Sequence, residues 1–201
     1  MKIGIFGHSR ARFRNWKDGG HYSQKVDKHF SNYQINWYGY MTSSLERIVF
    51  EIDKHKNFDM YVIFHTDPYY LYFPGWPRDF PHDVFLDAVK SEKGYNHFLS
   101  CCERYDINLD NIKDRILFYK DVIYNSKIIF LKYYSNLYLL RSLIKNKKTI
   151  HIKYTGFETK IFKDDYFSEP LASFNIDPAK DIDNELFSKT LISEIEKILD
   201  S

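Results

Sequence analysis

Apolar positions along this chain occur in short runs that alternate with segments of helical spacing. The first run, residues 2–7 (KIGIFG), predicts a buried strand that ends at a glycine. Three further runs predict strands at Tyr33–Tyr38, Phe58–His65 and Thr149–Tyr154. The run at 58–65 is apolar enough for the centre of a parallel sheet, where both faces are covered.

Helical patterns fill the intervals between these strands. Tyr22–Phe30 is predicted as a short helix, and residues 82–105 and 110–146 are predicted mostly as helix. A capping-box pattern, Ser43 with Glu46 three residues later, is predicted to open another helix. A C-terminal helix is marked by its apolar residues, which are Phe187, Leu191, Ile195, Ile198 and Leu199.

The alternation of strands and helices predicts an α/β fold of three layers, α/β/α, with a mostly parallel sheet. We expect one domain over residues 1–201, with a helical insertion at about 82–146. Ligands of such sheets bind past the carboxyl ends of the strands. The expected site therefore consists of the segment before the last helix and three loops, at 7–14, 39–43 and 66–81.

Composition narrows the classes of function. The chain has 201 residues, with 29 basic and 27 acidic side chains and a net charge of +2, so nucleic acid is not an expected partner. Cys101 and Cys102 are adjacent and predict no disulfide, which fits a reducing compartment. No signal peptide and no membrane span are apparent. We expect a cytoplasmic protein, or one carried in a virion assembled there, without a membrane partner.

Ser9 is the first residue with candidate chemistry, because it follows the first strand directly after Gly7 and His8. A serine at a strand-to-helix turn lies near backbone amides that can stabilise an oxyanion. As a nucleophile it needs a general base, usually a histidine. From its position alone, Ser9 fits better as a helix N-cap, a common structural role of serine.

The sequence resembles a known family at four places. IGIFGHSR resembles the first block of SGNH, or GDSL-type, hydrolases, where a strand runs into Gly-Asp-Ser. INWYGYMTSSLERI is similar to their second block, and FDMYVIFHTDP to their third. DIDNELFSKTLISEIEKIL resembles the stretch that opens the last helix, where the family carries Asp-x-x-His. These blocks follow the family's order over nearly the whole chain, as in its phage and bacterial members.

The resemblance implies roles for individual residues. Ser9 matches the family's nucleophile, and the backbone amide of Gly39 matches the oxyanion donor of the second block. Thr66 stands near the third-block asparagine, and its hydroxyl can donate one hydrogen bond. The last block contributes Asp181 and Glu185, with Glu185 at the position that we align with the family's histidine. The implied fold is SGNH-hydrolase-like, with a flavodoxin-like layout.

The general base is where the sequence departs from the family. No histidine follows His151, and Glu185 would act as a base only if burial raised its pKa well above that of free glutamate. His65, at the end of the third predicted strand, is the best substitute, and His21 is a second candidate. Each of these histidines also fits a polar loop or strand-end position.

The loop TDPYYLYFPGWPRDFP, residues 66–81, is a candidate binding surface. We expect a glycan or acyl-ester ligand, or a protein assembly through residues 67–81, although these aromatics also fit a small core beneath the loop. The candidate binding residues are Arg10, His65, Asp67, Tyr69, Tyr70 and Trp76. Arg10 fits an anion site or, with Arg12 and Arg14, a solvated face. No metal-ligand spacing occurs, so no metal and no cofactor are expected.

Two functions remain open at this stage. The protein is a degenerate SGNH-hydrolase-like protein, or pseudoenzyme, with a binding or structural role, for example in a phage particle. Alternatively, it is an active serine esterase that removes an acyl group from a glycan or similar ester through Ser9 with an unusual base. The missing histidine favours the first function.

Overall fold

The computed structural model describes residues 1–7, 11, 13–14, 20–40, 43–65, 70–71, 80–81, 88, 90–104, 114, 126–154, 171–174 and 184–200. The strands of these parts are β1 (Lys2–Gly7), β2 (Gln34–Gly39), β3 (Met60–Phe64), β4 (Tyr70–Leu71), β5 (Phe80–Pro81), β6 (Lys148–Tyr154) and β7 (Leu171–Phe174). The helices are α1 (Tyr22–His29), α2 (Leu45–Lys54), α3 (Glu92–Arg104), α4 (Ser126–Leu143) and α5 (Asn184–Leu199).

A five-stranded parallel sheet in the order β2-β1-β3-β6-β7 forms the middle layer. β4 and β5 form a separate antiparallel pair within the predicted aromatic loop. Without that pair, the strand order is the flavodoxin-like 2-1-3-4-5. The prediction of a three-layer α/β fold with a parallel sheet is confirmed.

Successive side chains of a strand point to opposite faces of the sheet, so the buried residues form two hydrophobic cores, one on each face. Ile3, Ile5 and Val62 point to the face that α1 and α5 cover. Phe6 and Ile63 point to the opposite face, which α2 and α4 cover. The central strand β3 is buried along its whole length, as expected for a strand with helices on both sides.

Gly4 makes room for an aromatic cluster on the α2 and α4 face. A Cβ at this position would lie 2.5 Å from the ring of Phe6 and 2.7 Å from that of Phe58. The missing side chain lets Phe6 stack on Tyr38, with ring centroids 4.7 Å apart. Phe58 meets Phe6 edge-on at 5.8 Å, so one small residue admits three packed rings.

The range that we predicted as a helical insertion contains a helix of the main fold. α4 lies within residues 82–146 and packs on α2 and the sheet through four buried residues, which are Tyr133, Leu137, Leu140 and Ile144. This helix therefore provides the crossover from β3 to β6. The division into one domain with an insertion stays a prediction. Among the described helices, none is both long and apolar enough to cross a membrane.

Candidate functional site

The strand order places the candidate site at the carboxyl ends of β1 and β3. The chain passes from β1 outward to β2 and then returns to β3 on the other side of β1, so the crossovers separate here. Ligands of open α/β sheets bind at such a switch point. In the strand register, Gly7 lies between Gly39 of β2 and Phe64 of β3. Gly39 and His65 thus lie at the same edge, as predicted.

Gly7 has a conformation that requires glycine. Its φ is +143°, and a Cβ would lie 2.4 Å from the carbonyl oxygen of Phe64. The Gly7 carbonyl accepts hydrogen bonds from the Ser43 hydroxyl at 3.1 Å and from the Tyr40 backbone N–H at 3.3 Å. These bonds fix the end of the strand that leads to Ser9.

Ser43 has a different role from the one predicted, because the N-cap of α2 is Ser44. The Ser44 hydroxyl accepts from the backbone N–H of Arg47, and the helix begins at Leu45. The capping-box prediction was therefore wrong by one residue. Ser43 is fully buried and ties the segment before α2 to β1 through the Gly7 carbonyl.

Tyr40 follows Gly39 at this edge and was not singled out from the sequence. Burial, followed by the Glu51 carboxylate that hydrogen bonds to its hydroxyl, raises the pKa of Tyr40 to about 12. The Arg47 guanidinium lies 5.4 Å from the centre of the Tyr40 ring. The phenol therefore stays protonated at neutral pH and acts as a hydrogen-bond donor to Glu51.

His65 lies in a buried polar network behind the switch point. Its Nε2 shares a hydrogen bond with Nδ1 of His151 on β6, at 2.8 Å. Its Nδ1 lies 3.3 Å from the hydroxyl of Tyr133 on α4, and its backbone N–H donates to Ile152 at 2.8 Å. Both imidazoles are fully buried. The network joins β3, β6 and α4.

The electrostatics of this network keep His65 neutral. Burial, with a smaller contribution from His151, holds the pKa of His65 well below its usual value. Both ring nitrogens are engaged and the side chain has no exposed surface. In this arrangement both ring nitrogens of His65 face partners within the fold. Its expected roles as a ligand contact and as a substitute base stay predictions, and this geometry does not favour them.

His21, the other substitute base, is the N-cap of α1. Its Nδ1 accepts from the Ser23 backbone N–H at 3.2 Å and lies 2.7 Å from the Ser23 hydroxyl. Burial and the nearby Arg14 charge lower the pKa of His21 to about 4. The basic nitrogen is directed at the buried Ser23, so the neutral ring carries its proton on Nε2. The sequence favoured a polar loop position for His21, and the structure places it as the cap of α1.

Glu185 lies in the first turn of α5 and is more than half exposed. It forms an ion pair with Lys25 of α1, and Lys189 lies 3.4 Å away on α5. The hydrogen bond from Lys25, followed by that from Lys189, lowers the pKa of Glu185. The condition that we set for a general base, a pKa raised by burial, is not met. Glu185 instead joins the two helices of one layer.

The other predicted site residues lie outside the described parts of the chain, namely Ser9, Arg10, Thr66, Asp67, Tyr69, Trp76 and Asp181. For Tyr70 the structure describes the backbone in β4. Sequence reasoning did not place His151, Tyr133 or Tyr40 in this region, and it gave Ser43 a different role. His151 could have been found from the sequence, because it is a histidine between Ile150 and Ile152 in a buried strand.

In the described residues, no group of three or more His, Cys, Asp or Glu side chains forms a metal site.

Comparisons with protein-family models, with curated proteins and with solved structures give no match.

Proposed function

We propose that this chain is a binding or structural protein that keeps an SGNH-hydrolase-like fold and has lost the family's ester hydrolysis. The observation that carries the proposal is the state of Glu185, which stands where we align the family's histidine. An exposed carboxylate with a lowered pKa and two lysine neighbours is a weak proton acceptor. A serine hydroxyl needs a far stronger base to become a nucleophile.

The histidines near the same edge support this proposal. His65 and His21 are both buried, and each directs ring nitrogens at partners within the fold. Neither imidazole offers an exposed basic nitrogen in the arrangement described above. Loss of a triad member lowers turnover by several orders of magnitude in serine hydrolases. Ser9 is therefore proposed to serve as a cap or a ligand contact.

The proposed ligand site is the crevice at the carboxyl ends of β1 and β3. In the strand register, Gly7 lies at this edge between Gly39 of β2 and Phe64 of β3. The aromatic and arginine residues predicted from the sequence suit the ring faces of a glycan or an acidic sugar. We propose a glycan as the ligand class, with residues 67–81 as the contact for a glycan or protein partner.

Labelling with a serine-reactive fluorophosphonate tests the loss of chemistry. We expect the wild-type protein and Ser9→Ala to show the same background labelling and the same background hydrolysis of p-nitrophenyl acetate. Strong labelling that disappears in Ser9→Ala would contradict the proposal and establish the alternative, an active esterase. Thr66→Ala then serves as the matched variant, since loss of an oxyanion donor lowers turnover by roughly 10²–10³.

Binding is tested separately on an array of acetylated and unacetylated oligosaccharides. We expect binding to a subset of glycans that survives Ser9→Ala and is lost in Trp76→Ala. Tyr138→Ala is the control, because that exposed aromatic lies on α4, away from the crevice. Absence of glycan binding by the wild-type protein would contradict the ligand class but leave the loss of hydrolysis standing.

A further inference from the structure

Positive charge is concentrated in the segment formed by α4, β6 and the turn between them. Residues 126–154 contain seven Lys and Arg residues and no Asp or Glu. The chain as a whole has 29 basic and 27 acidic residues, so the remainder of the chain is net acidic. A local charge asymmetry of this kind is typical of a surface that binds an anion.

A cavity of about 550 Å³ lies at the turn between α4 and β6. Its size is within the range of roughly 300–1,000 Å³ that is typical of small-ligand sites. The lining includes Tyr138, Arg141, Ser142, Lys145, Asn146 and Lys147. No acidic residue lines it in the part of the chain that the structure describes. Because β6 begins here, the cavity lies at the opposite edge of the sheet from Gly7 and Gly39 and is separate from the crevice described above.

The backbone of the turn is fixed by local contacts. Asn146 has a φ of 65°, a left-handed conformation that asparagine tolerates. The backbone N–H of Lys147 donates to the carbonyl of Ile144 at 3.0 Å, and the Thr149 hydroxyl donates to the carbonyl of Lys147 at 3.0 Å. The backbone positions of Lys145 and Lys147, on either side of Asn146, are therefore set before any ligand binds.

The fold leaves the lysines of the cavity without a counter-charge. The neighbouring Lys148 ammonium donates to two carbonyl oxygens at the end of α5, at 2.9 and 3.1 Å. Lys145 and Lys147, by contrast, form no ion pair with any described residue. The C-terminal end of α4 attracts cations, but with only about half a negative charge. Arg141 and the two lysines exceed that charge, so the cavity keeps a positive potential.

We propose that this cavity binds a nucleotide, with its phosphates among the three cations and its base against the ring of Tyr138. Guanidinium and ammonium groups are the side chains that bind phosphate oxygens. Tyr138 is 62% exposed and lines the same cavity, so its ring can stack on a base. A free nucleotide is favoured over a nucleic-acid strand, because the cations surround one cavity and the net charge of the chain is only +2.

Isothermal titration calorimetry with ADP at low ionic strength tests the site. We expect a dissociation constant in the micromolar range, and at least about tenfold weaker binding by the double variant Lys145→Gln/Lys147→Gln. The matched control is Lys28→Gln/Lys54→Gln, which removes the same charge from exposed lysines in the last turns of α1 and α2. Absence of ADP binding by the wild-type protein, or equal weakening in both double variants, would overturn the proposal.

Tyr138→Ala and two further ligands test the class of ligand. The variant should weaken ADP binding at least about fivefold and leave pyrophosphate binding unchanged, because pyrophosphate has no base. Equal effects on the two ligands would overturn the placement of the base. A single-stranded oligonucleotide of deoxythymidine offers the same phosphates and bases in a strand. Tighter binding of this oligonucleotide than of ADP, lost in Lys145→Gln/Lys147→Gln, would overturn the free nucleotide in favour of a strand.

Discussion

Nε2 of His65 lies 2.8 Å from Nδ1 of His151, although the two residues are 86 positions apart in the chain. Each imidazole is fully buried, and the Tyr133 hydroxyl extends the network onto α4. The end of β3, the neighbouring strand β6 and the covering helix α4 are therefore joined by two polar contacts that share His65. Because a buried polar group is costly when unpaired, the network acts as a unit.

The buried pair makes stability depend on pH. The pKa of His65 is lowered in the folded protein, so below about pH 6.5 the unfolded chain binds protons that the folded chain excludes. Its contribution is fully present above that pH and is lost as the pH falls. The free energy of unfolding should decline between pH 7 and 5, by up to about 1.4 kcal/mol per pH unit for one proton. Urea denaturation at several pH values measures it.

The variant His65→Gln isolates this effect. We expect it to be less stable than the wild-type protein at pH 7.5 and to lose stability less steeply on acidification. His21, whose pKa is also lowered, contributes equally to both proteins and cancels in the comparison. Identical pH slopes for the two proteins would show that His65 does not titrate as inferred.

Tyr133→Phe should lower stability by about 1 kcal/mol, because the variant removes the hydroxyl that lies 3.3 Å from Nδ1 of His65. The ring itself stays in the core. Tyr138→Phe is the control, an exposed tyrosine on the same helix, and should be nearly neutral. Thermal and urea denaturation of both variants measure the difference. Equal effects of the two substitutions would argue against a stabilising role of the Tyr133 hydroxyl.

Gly7→Ala should destabilise the fold by more than about 3 kcal/mol, since it combines an unfavourable φ with a severe backbone contact. Gly94→Ala is the matched substitution inside α3, where alanine should be neutral or favourable by about 1 kcal/mol. Equilibrium unfolding of both proteins tests this contrast. A Gly7→Ala protein of wild-type stability would mean that the β1 turn relaxes to accept a side chain.

Ser43→Ala and Ser44→Ala separate the two roles found before α2. Ser44→Ala loses the helix N-cap, worth about 1 kcal/mol. Ser43→Ala leaves the buried Gly7 carbonyl with one donor fewer and should cost about 1–2 kcal/mol. Hydrogen exchange distinguishes them: we expect faster exchange at Tyr40 and Gly7 only in Ser43→Ala. Exchange that is faster at the start of α2 in both variants would restore the capping-box assignment.

Glu185→Gln should leave background ester hydrolysis and fluorophosphonate labelling unchanged within about twofold, because the carboxylate is ionised and paired with lysine. The Ser9→Ala variant gives the level of hydrolysis and labelling that does not depend on Ser9. A loss of labelling in Glu185→Gln with a shifted pH profile would identify Glu185 as the base, against the proposed function.

The sequence predicts the centre of the sheet well, because β1 and β3 are buried on both faces. β1 was predicted at its observed bounds, and β3 within two residues at its start and one at its end. β7 was missed, since four residues of mixed character, Leu171–Phe174, give little periodic signal. The N-cap of α2 was placed one residue early, because Ser43 and Ser44 are chemically equivalent caps.

The candidate site was harder to predict, because its polar contacts come from residues far apart in the chain. The histidine in β6 was visible as a polar residue in an apolar strand, but its partner depends on β6 lying beside β3. The state of Glu185 depends on Lys25, on a helix 160 positions away. The spacing of residues along the sequence indicates which side chains are candidates for a site. It does not indicate which distant residues they contact.

The adjacency of β3 and β6 has a consequence for the order in which the chain folds. β1, β2 and β3 are consecutive in sequence and form one side of the sheet, whereas β6 pairs only after a long segment has closed. Pairing across such a separation slows folding and is completed late. Contacts that form late affect mainly the rate of unfolding, so we expect the contact between His65 and His151 to slow unfolding more than it speeds folding.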